Sequence, residues 1–261
     1  MTQPTDPLFD VAGKGIIIAG AGGGLAADMV HALDRRGARL FLFDNHATRL
    51  AAIAERVPAA TAMAGDITDA ASLEAVMAAA GEALGRIDGA INAAGVLPIA
   101  TADSMDLRIF QECQDVNVTG AFLFSRAAAQ AMRATAGAGA GTGAGGRIVH
   151  LASVSSFVAN PGYAAYASSK GGLLQLVRVL AREWAAEGIT VNAIGPALTV
   201  TPLTADYLAD PDFRRRAIDV IPMGRLGEAA DLVATVLLLL APGGAFITGQ
   251  TICVDGGRTL V

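Results

Sequence analysis

The sequence predicts an α/β protein built on one parallel, doubly wound sheet of seven strands, with helices on both faces. The 261 residues are 53% hydrophobic and only 5% aromatic, so the apolar side chains are mostly small or aliphatic. Such residues suit strands that are buried on both faces. Apolar runs of strand length alternate with helix-length amphipathic segments, the pattern of a parallel α/β sheet. The length is sufficient for one such domain with a sizeable core.

Seven apolar runs are predicted to form the strands. They are Gly15–Ala19, Ala38–Phe43, Thr61–Gly65, Ile87–Ala93, Arg147–Ala152, Ile189–Ile194 and Gln250–Val254. Neither an internal repeat nor a linker interrupts them, so we expect one domain over residues 1–261. The low-complexity stretch Ala136–Gly146 is predicted to be a mobile surface loop, because its many glycines do not fix the backbone.

Charge and composition argue against several classes of partner. The net charge is −5 and the largest basic cluster is Arg214–Arg216, so binding of nucleic acid has no electrostatic support. The N-terminal stretch has acidic residues and no apolar core, which is unlike a signal peptide. The longest apolar run, Val233–Ala241, is too short to span a membrane. Cys113 and Cys253 are far apart and no histidines have metal-site spacing. We therefore expect a cytoplasmic protein without a metal.

A glycine-rich turn, AGAGGGLA from Ala19 to Ala26, follows the first strand and opens a helix. Such a turn lets the backbone approach a pyrophosphate, which then lies at a helix N-terminus where amides and the helix dipole favour negative charge. A plain tight turn is the alternative, and the turn by itself supports both equally. The predicted cofactor contacts in this turn are Gly20, Gly22, Gly23, Gly24 and Leu25.

Asp44 ends the second strand, about twenty residues after the glycines. A carboxylate at this place can accept hydrogen bonds from the adenosine ribose hydroxyls, and it would repel a 2′-phosphate. The next residues, Asn45 and His46, supply no arginine that could bind such a phosphate. We therefore predict NAD as the cofactor, with Asn45 beside it. Capping of the next helix is the alternative role of Asp44.

Tyr166 and Lys170 are four residues apart on a predicted helix, so their side chains are expected to be neighbours. An adjacent ammonium favours the phenolate and lowers the tyrosine pKa from its ordinary value near ~10, which suits a general acid/base. Only Lys14 and Lys170 among the 19 basic residues are lysines. A compact ammonium can contact a phenolate and a ribose together, which a planar guanidinium cannot easily do. An incidental surface pair is the alternative.

The stretch Ser153–Lys170, with a serine thirteen residues before Tyr166, resembles the active site of the short-chain dehydrogenase/reductase family. The glycine-rich turn is similar to the family's Thr-Gly-x-x-x-Gly-x-Gly, with Ala19 and Ala26 as departures. Asn92 to Gly95, NAAG, is close to the family's Asn-Asn-Ala-Gly. Residues 196–201, PALTVT, resemble Pro-Gly-x-x-x-Thr, with Ala197 in the place of the glycine.

The resemblance implies a Rossmann-type sheet with strand order 3-2-1-4-5-6-7 and hydride transfer between NAD(H) and a secondary alcohol or ketone. In this scheme Tyr166 moves the proton and Lys170 lowers its pKa and holds the ribose. Ser153 polarises the substrate oxygen, and Asn117 marks a helix distortion whose carbonyl anchors a relay water. The remaining expected cofactor contacts are Asp66, Ile67, Asn92, Ala93, Ala94, Gly95, Pro196, Thr199 and Thr201, and the remaining substrate contacts are Ser155 and Tyr163.

Residues 198–223 are predicted to form a substrate lid, which is helical over Leu203–Met223, and Arg214–Arg216 are predicted to be a solvated face of it. The family resemblance also implies a homotetramer or homodimer. The helices predicted at Leu107–Arg133 and Tyr163–Glu187 would build its interface, because both are rich in alanine.

We prefer a polyol, a sugar or another small alcohol as substrate. A 3-oxoacyl thioester reductase that acts on acyl carrier protein is the alternative. It is disfavoured because Ala136–Gly146 has no basic residue and because Asp44 disfavours NADP. A non-catalytic NAD-binding regulator is a second alternative. A serine hydrolase is disfavoured because no Gly-x-Ser-x-Gly elbow surrounds Ser153.

Overall fold

Seven parallel strands form one sheet in a computed structural model that describes residues 6–136 and 145–261. The strand order is 3-2-1-4-5-6-7, so the predicted fold class and the implied order are confirmed. The strands are β1 Gly15–Ala19, β2 Arg39–Asp44, β3 Thr61–Ala64, β4 Gly89–Asn92, β5 Arg147–Leu151, β6 Thr190–Pro196 and β7 Thr251–Val254. Most of the predicted mobile loop, residues 137–144, lies outside the described residues.

Helices connect the strands and cover both faces of the sheet. They are α1 Gly24–Asp34, α2 Ala47–Ala54, α3 Ala70–Leu84, α4 Leu107–Gln114, α5 Ala121–Thr135, α6 Ala164–Trp184, α7 Ala205–Leu208, α8 Pro211–Asp219 and α9 Val233–Leu240. A π-helical segment, Asp115–Gly120, joins α4 to α5, and short 3-10 turns occur in several loops. Among the described residues, no helix is both long and apolar enough to cross a bilayer.

The core consists of two apolar layers, one on each side of the sheet. Successive side chains of a strand point to opposite faces, so Ile17 packs with α3, α5 and α6, whereas Ile16 and Ile18 pack with α1 and α9. All five residues of β1 are buried, as expected for a central strand. The strand order changes direction between β1 and β4: β2 and β3 follow on one side of β1, and β4 to β7 follow on the other. Ligands of open α/β sheets bind at such a switch point, beyond the carboxyl ends of the strands.

Two predicted helices are interrupted in the structure. The helix expected over Leu107–Arg133 consists of α4, the π-helical segment and α5. The segment predicted to be helical over Leu203–Met223 consists of two short helices, because α7 ends at Leu208 and α8 begins at Pro211. The Asp210 side chain caps α8 by accepting a hydrogen bond from the Asp212 amide at 2.9 Å. Proline cannot continue a preceding helix but fits the first turn of a new one.

Candidate active site

Ser153, Tyr166 and Lys170 meet beyond the carboxyl end of β5. Ser153 caps a 3-10 turn and its Oγ accepts a hydrogen bond from the Ser155 amide at 3.0 Å. The Lys170 Nζ lies 5.6 Å from the centre of the Tyr166 ring and donates to the Leu151 carbonyl at 2.8 Å. The structure thus places the predicted tyrosine and lysine side by side, within reach of the predicted serine.

The predicted lowering of the Tyr166 pKa does not occur in the protein alone. Burial of the phenol raises its pKa to about 12, and a hydrogen bond with Ser153 offsets only part of this shift. Burial also lowers the Lys170 pKa to about 8. The prediction was wrong because it considered the ammonium and not the loss of water around both groups, which disfavours the charged form of each.

Asn117 lies in the π-helical segment, where the resemblance implied a distortion. Its Oδ1 accepts from the Val96 amide and its Nδ2 donates to the Val96 carbonyl, both at 3.0 Å. The same Nδ2 lies 2.9 Å from the Ser169 hydroxyl on α6, and Ser169 donates to the Tyr166 carbonyl at 2.7 Å. The Asn117 side chain therefore connects the loop after β4 to the tyrosine helix. Nothing in the sequence had drawn attention to Ser169.

The glycine-rich turn has the shape that a pyrophosphate requires. Gly20 has a φ of 69°, and a Cβ there would lie 2.5 Å from the Ala94 nitrogen. A Cβ on Gly24 would lie 2.5 Å from Pro202 and 2.9 Å from Thr201. No side chain caps the first turn of α1, which suits a helix N-terminus that binds an anion. The residues present fit a dinucleotide.

Asp44 has a second role that the sequence did not reveal. One carboxylate oxygen accepts from the Gly22 amide at 3.0 Å and the other accepts from the His46 amide at 2.8 Å. Asp44 therefore braces the glycine-rich turn from the end of β2. Arg49 on α2 also lies against this turn, since a Cβ on Gly22 would come within 2.7 Å of the Arg49 Cβ. The expectation that no arginine is near the ribose site therefore overlooked Arg49, because it considered only the two residues after Asp44.

The other predicted cofactor residues lie along the same edge of the sheet. Asn92 Oδ1 accepts from the Ala94 amide at 3.1 Å, and the Ala93 amide bonds to β1. Asp66 is exposed and accepts from both the amide and the hydroxyl of Thr68. Asn45 is exposed, Ile67 is buried, and Gly95 lies beside Asn117 Oδ1 and Lys170 Nζ.

Behind Asn92 is a fully buried histidine, His150, on β5. Its Nδ1 lies 3.3 Å from Asn92 Nδ2, and its Nε2 lies 2.9 Å from the hydroxyl of Ser125 on α5. Burial and the charge of Lys170 lower the His150 pKa to about 3. The sequence indicates only that His150 lacks the spacing of a metal ligand, and nothing in it predicts the contact with Asn92.

A cavity of about 560 Å³ opens beside the Ser153 and Tyr166 side chains. The predicted residues that line it are Leu25, Ser153, Ser155, Tyr163, Tyr166, Pro196, Thr199 and Thr201. Its other walls are mainly apolar and include Leu97, Ile99 and Phe213. It joins the end of the glycine-rich turn to the tyrosine, so a nicotinamide and a small substrate can occupy it together.

Three polar residues of the cavity were not predicted as site residues from the sequence. Asn160 and Arg258 line it and lie 98 residues apart, so no local pattern connects them. Arg216 also lines it. Arg214, Arg215 and Arg216 are all exposed, which agrees with the predicted solvated face, and only the fold shows that Arg216 borders the cavity.

Comparison with known proteins establishes the family. A family model described as enoyl-(acyl carrier protein) reductase matches residues 20–259. Galactitol 2-dehydrogenase (L-tagatose-forming) of Cereibacter sphaeroides is 37% identical over 97% of this chain and 98% of its own length. The 3beta-hydroxysteroid dehydrogenase 1 of Eggerthella lenta is 33% identical over 96% and 95%. The chain belongs to the short-chain dehydrogenase/reductase family, a family of oxidoreductases.

Solved structures agree with this assignment and differ in cofactor. A gluconate 5-dehydrogenase from Burkholderia cenocepacia in complex with NADP and tartrate has a TM-score of 0.90 and 28% identity, over 98% of both chains. A 3-ketoacyl-(acyl-carrier-protein) reductase from Brucella melitensis complexed with NADH has a TM-score of 0.87 and 29% identity, over 95% of this chain and 99% of the other. Nicotinamide cofactors are thus common to the family, and both forms occur among similar structures.

Proposed function

We propose that the protein interconverts a secondary alcohol and a ketone with NAD(H). The observation that carries this proposal is the convergence of Ser153, Tyr166 and Lys170 at a cavity that reaches the end of the glycine-rich turn. The family assignment supports an oxidoreductase acting on alcohols. When bound, the nicotinamide exchanges a hydride with the carbinol or carbonyl carbon of the substrate.

The protein residues supply the proton and hold the substrate oxygen. In carbonyl reduction, the Tyr166 phenol donates its proton to the substrate oxygen while the Ser153 hydroxyl donates a hydrogen bond to it. Burial keeps the phenol protonated at neutral pH, so it is ready to act as the acid. In alcohol oxidation Tyr166 accepts the proton, and the positive charge of Lys170 favours the phenolate that this step needs.

Lys170 and Asn117 hold this arrangement in place. The ammonium is anchored to the Leu151 carbonyl and has two further N–H donors, which we assign to the nicotinamide ribose and a relay water. We assign the relay water to the carbonyl of Asn117. Asn117 also fixes the loop after β4 through its two hydrogen bonds to Val96.

NAD is the cofactor we propose, because the Asp44 carboxylate contacts the glycine-rich turn, where we expect the adenosine ribose to bind. Arg49 lies beside the same turn, so the preference depends on whether the carboxylate repels a 2′-phosphate more than the guanidinium attracts it. Free Cys113 and Cys253 thiols are consistent with a reducing cytoplasm, where we place the reaction.

A polyol, a sugar or another small alcohol is the proposed substrate, supported by the similarity to galactitol 2-dehydrogenase. Residues 198–223 form the proposed lid, and the Tyr207 hydroxyl of α7 ties it to the Leu97 carbonyl at 3.2 Å. A 3-oxoacyl thioester reductase is the second candidate. It is favoured by the description of the matching family model and by the similar 3-ketoacyl reductase structure.

A substrate screen tests the proposal. The purified protein is assayed with polyols, sugars, hydroxysteroids and 3-hydroxyacyl thioesters, each with NAD and with NADP. Tyr166→Phe should lower kcat by roughly a hundredfold or more, with unchanged NADH binding measured by cofactor fluorescence. Tyr163→Phe is the matched control, because the Tyr163 ring lies 6.2 Å from that of Tyr166. Its kcat should fall far less than that of Tyr166→Phe. Tight NADH binding without turnover of any compound would instead identify a non-catalytic regulator.

A further inference from the structure

We propose that the natural substrate carries an anionic group, a carboxylate, sulfonate or phosphate, that binds Arg216 and Arg258. This inference rests on the proposed dehydrogenase function and narrows its substrate class. Both arginines line the cavity that contains Ser153 and Tyr166. They would hold the end of the substrate that lies away from the reacting carbon.

The charge of the cavity supports an anionic ligand. Its described lining contains these two arginines and no aspartate, glutamate, lysine or histidine, and an arginine stays protonated at any physiological pH. Much of the remaining wall is apolar, including Leu203, Val220 and Ile221. An anionic ligand can form charge-assisted hydrogen bonds with both guanidiniums at the cavity, which a neutral polyol cannot do.

Arg258 is held in position to bind a ligand. One terminal nitrogen donates to Asn160 Oδ1 at 3.1 Å and the other donates to the Val261 carbonyl at 2.9 Å. A guanidinium has five N–H donors, so three remain after these two bonds. Asn160 lines the same cavity, which places the oriented guanidinium at the cavity wall before any substrate binds.

Arg216 is the one of three consecutive exposed arginines on α8 that borders the cavity. Its neighbour Arg215 pairs with Asp212 at 2.9 Å. Within residues 6–136 and 145–261, Arg216 forms neither an ion pair nor a hydrogen bond that would neutralise it. Its neighbours in the cavity wall are the apolar Phe213 and Ala217. The guanidinium is therefore available to pair with an anionic ligand at the cavity mouth.

Matched pairs of hydroxy acids and their primary amides test the inference, because each pair differs mainly in charge. We would measure kcat/KM for 3-hydroxybutyrate, 4-hydroxypentanoate and gluconate against the three corresponding amides. For at least one pair the acid should exceed the amide by at least tenfold, about 1.4 kcal/mol of binding to the transition state. Added salt should reduce this ratio, since ions screen a charge pair at a cavity mouth.

The arginine variants identify the source of the preference. Arg216→Gln and Arg258→Gln should each lower the acid-to-amide ratio roughly tenfold, mainly through the KM of the acid, and leave the amide and NAD(H) little affected. Arg258→Lys should retain part of the preference. Arg214→Gln, on the same helix but outside the cavity lining, is the matched control and should keep the wild-type ratio.

Three outcomes would overturn the inference. Turnover of neutral alcohols without any preference for an acid refutes it while leaving the proposed function intact. An unchanged acid-to-amide ratio in Arg216→Gln and Arg258→Gln, with a raised KM for NAD(H), shows that the arginines serve the cofactor instead. If none of the acids, amides or alcohols is turned over, the proposed function fails and this inference fails with it.

Discussion

Mild acid should destabilise the fold through His150, which is fully buried in β5. The amide nitrogen of Asn92 can only donate, so His150 Nδ1 accepts at that contact. The Ser125 hydroxyl donates to the Ala121 carbonyl at 2.7 Å, which leaves it to accept from Nε2. This assigned hydrogen-bond pattern requires a neutral ring. Burial and the Lys170 charge lower its pKa to about 3.

The size of the effect follows from the difference in proton binding. In the unfolded chain a histidine has a pKa near ~6.5. Between that value and the folded pKa of about 3, the unfolded state binds a proton that the folded state does not. The free energy of unfolding therefore falls as the pH is lowered, by about 1.4 kcal/mol per pH unit well below ~6.5. Between pH 7.5 and pH 5.0 the loss from His150 alone is about 2 kcal/mol.

Urea unfolding at the two pH values measures this loss, with the single tryptophan, Trp184, as the fluorescent probe. In His150→Gln the amide oxygen and nitrogen can replace the acceptor and the donor of the ring but cannot titrate. The difference between the two pH values should therefore be smaller in this variant by about 2 kcal/mol. His31→Gln, on α1, is the matched control and should keep the wild-type difference. An equal loss in wild type and His150→Gln would refute the reasoning.

Three further predictions concern catalysis, cofactor and assembly. Lys170→Arg should lower kcat by about two orders of magnitude with the fold intact, because a wider guanidinium displaces Tyr166 or the ribose. Lys14→Arg is the control variant and should keep the wild-type kcat. If Lys170→Arg retains more than half of the wild-type kcat at neutral pH, the specific role of the lysine is wrong. The wild type should prefer NAD over NADP by at least tenfold in kcat/KM, about 1.4 kcal/mol, and Asp44→Ala should bring the two kcat/KM values closer together. Equal kcat/KM for the two cofactors in the wild type would contradict the proposed binding of the ribose by Asp44. Light scattering at micromolar concentration should show a homotetramer or a homodimer built on α4, α5 and α6, and a monomer would disprove this assembly.

The sheet was predictable from the sequence because each strand is a short apolar run between turn residues. The ends were less predictable, as β4 shows. The run Ile87–Ala93 was predicted as a strand, but β4 covers only Gly89–Asn92. Asp88 accepts a hydrogen bond from the Gly15 amide and Ile87 donates to the Thr135 hydroxyl, at 2.9 and 3.0 Å. Ile87 thus bonds outside the sheet, whereas the Asp88 backbone still bonds to Gly15 and Arg147, at 2.8 and 2.9 Å. No local pattern encodes these contacts.

The site was predictable where its chemistry follows from local spacing, as for Tyr166 and Lys170 on one helix. It was not predictable where distant segments meet. Arg258 and Asn160 are bonded across 98 residues, and the position of Arg216 at the cavity depends on how α8 packs. Spacing alone also gave no measure of burial, which decides the protonation of the tyrosine.

Burial changes how the tyrosine and lysine pair works. An exposed pair would act mainly through its Coulomb attraction, and the ammonium would then lower the phenol pKa. In this protein both groups are buried, and desolvation is the largest cause of both pKa shifts, to about 12 for Tyr166 and about 8 for Lys170. Ionisation of Tyr166 is therefore unfavourable in the protein alone. A positively charged ligand beside the Tyr166 oxygen would be little screened by water and would lower the pKa of the phenol. Binding of such a ligand is therefore coupled to the protonation of Tyr166.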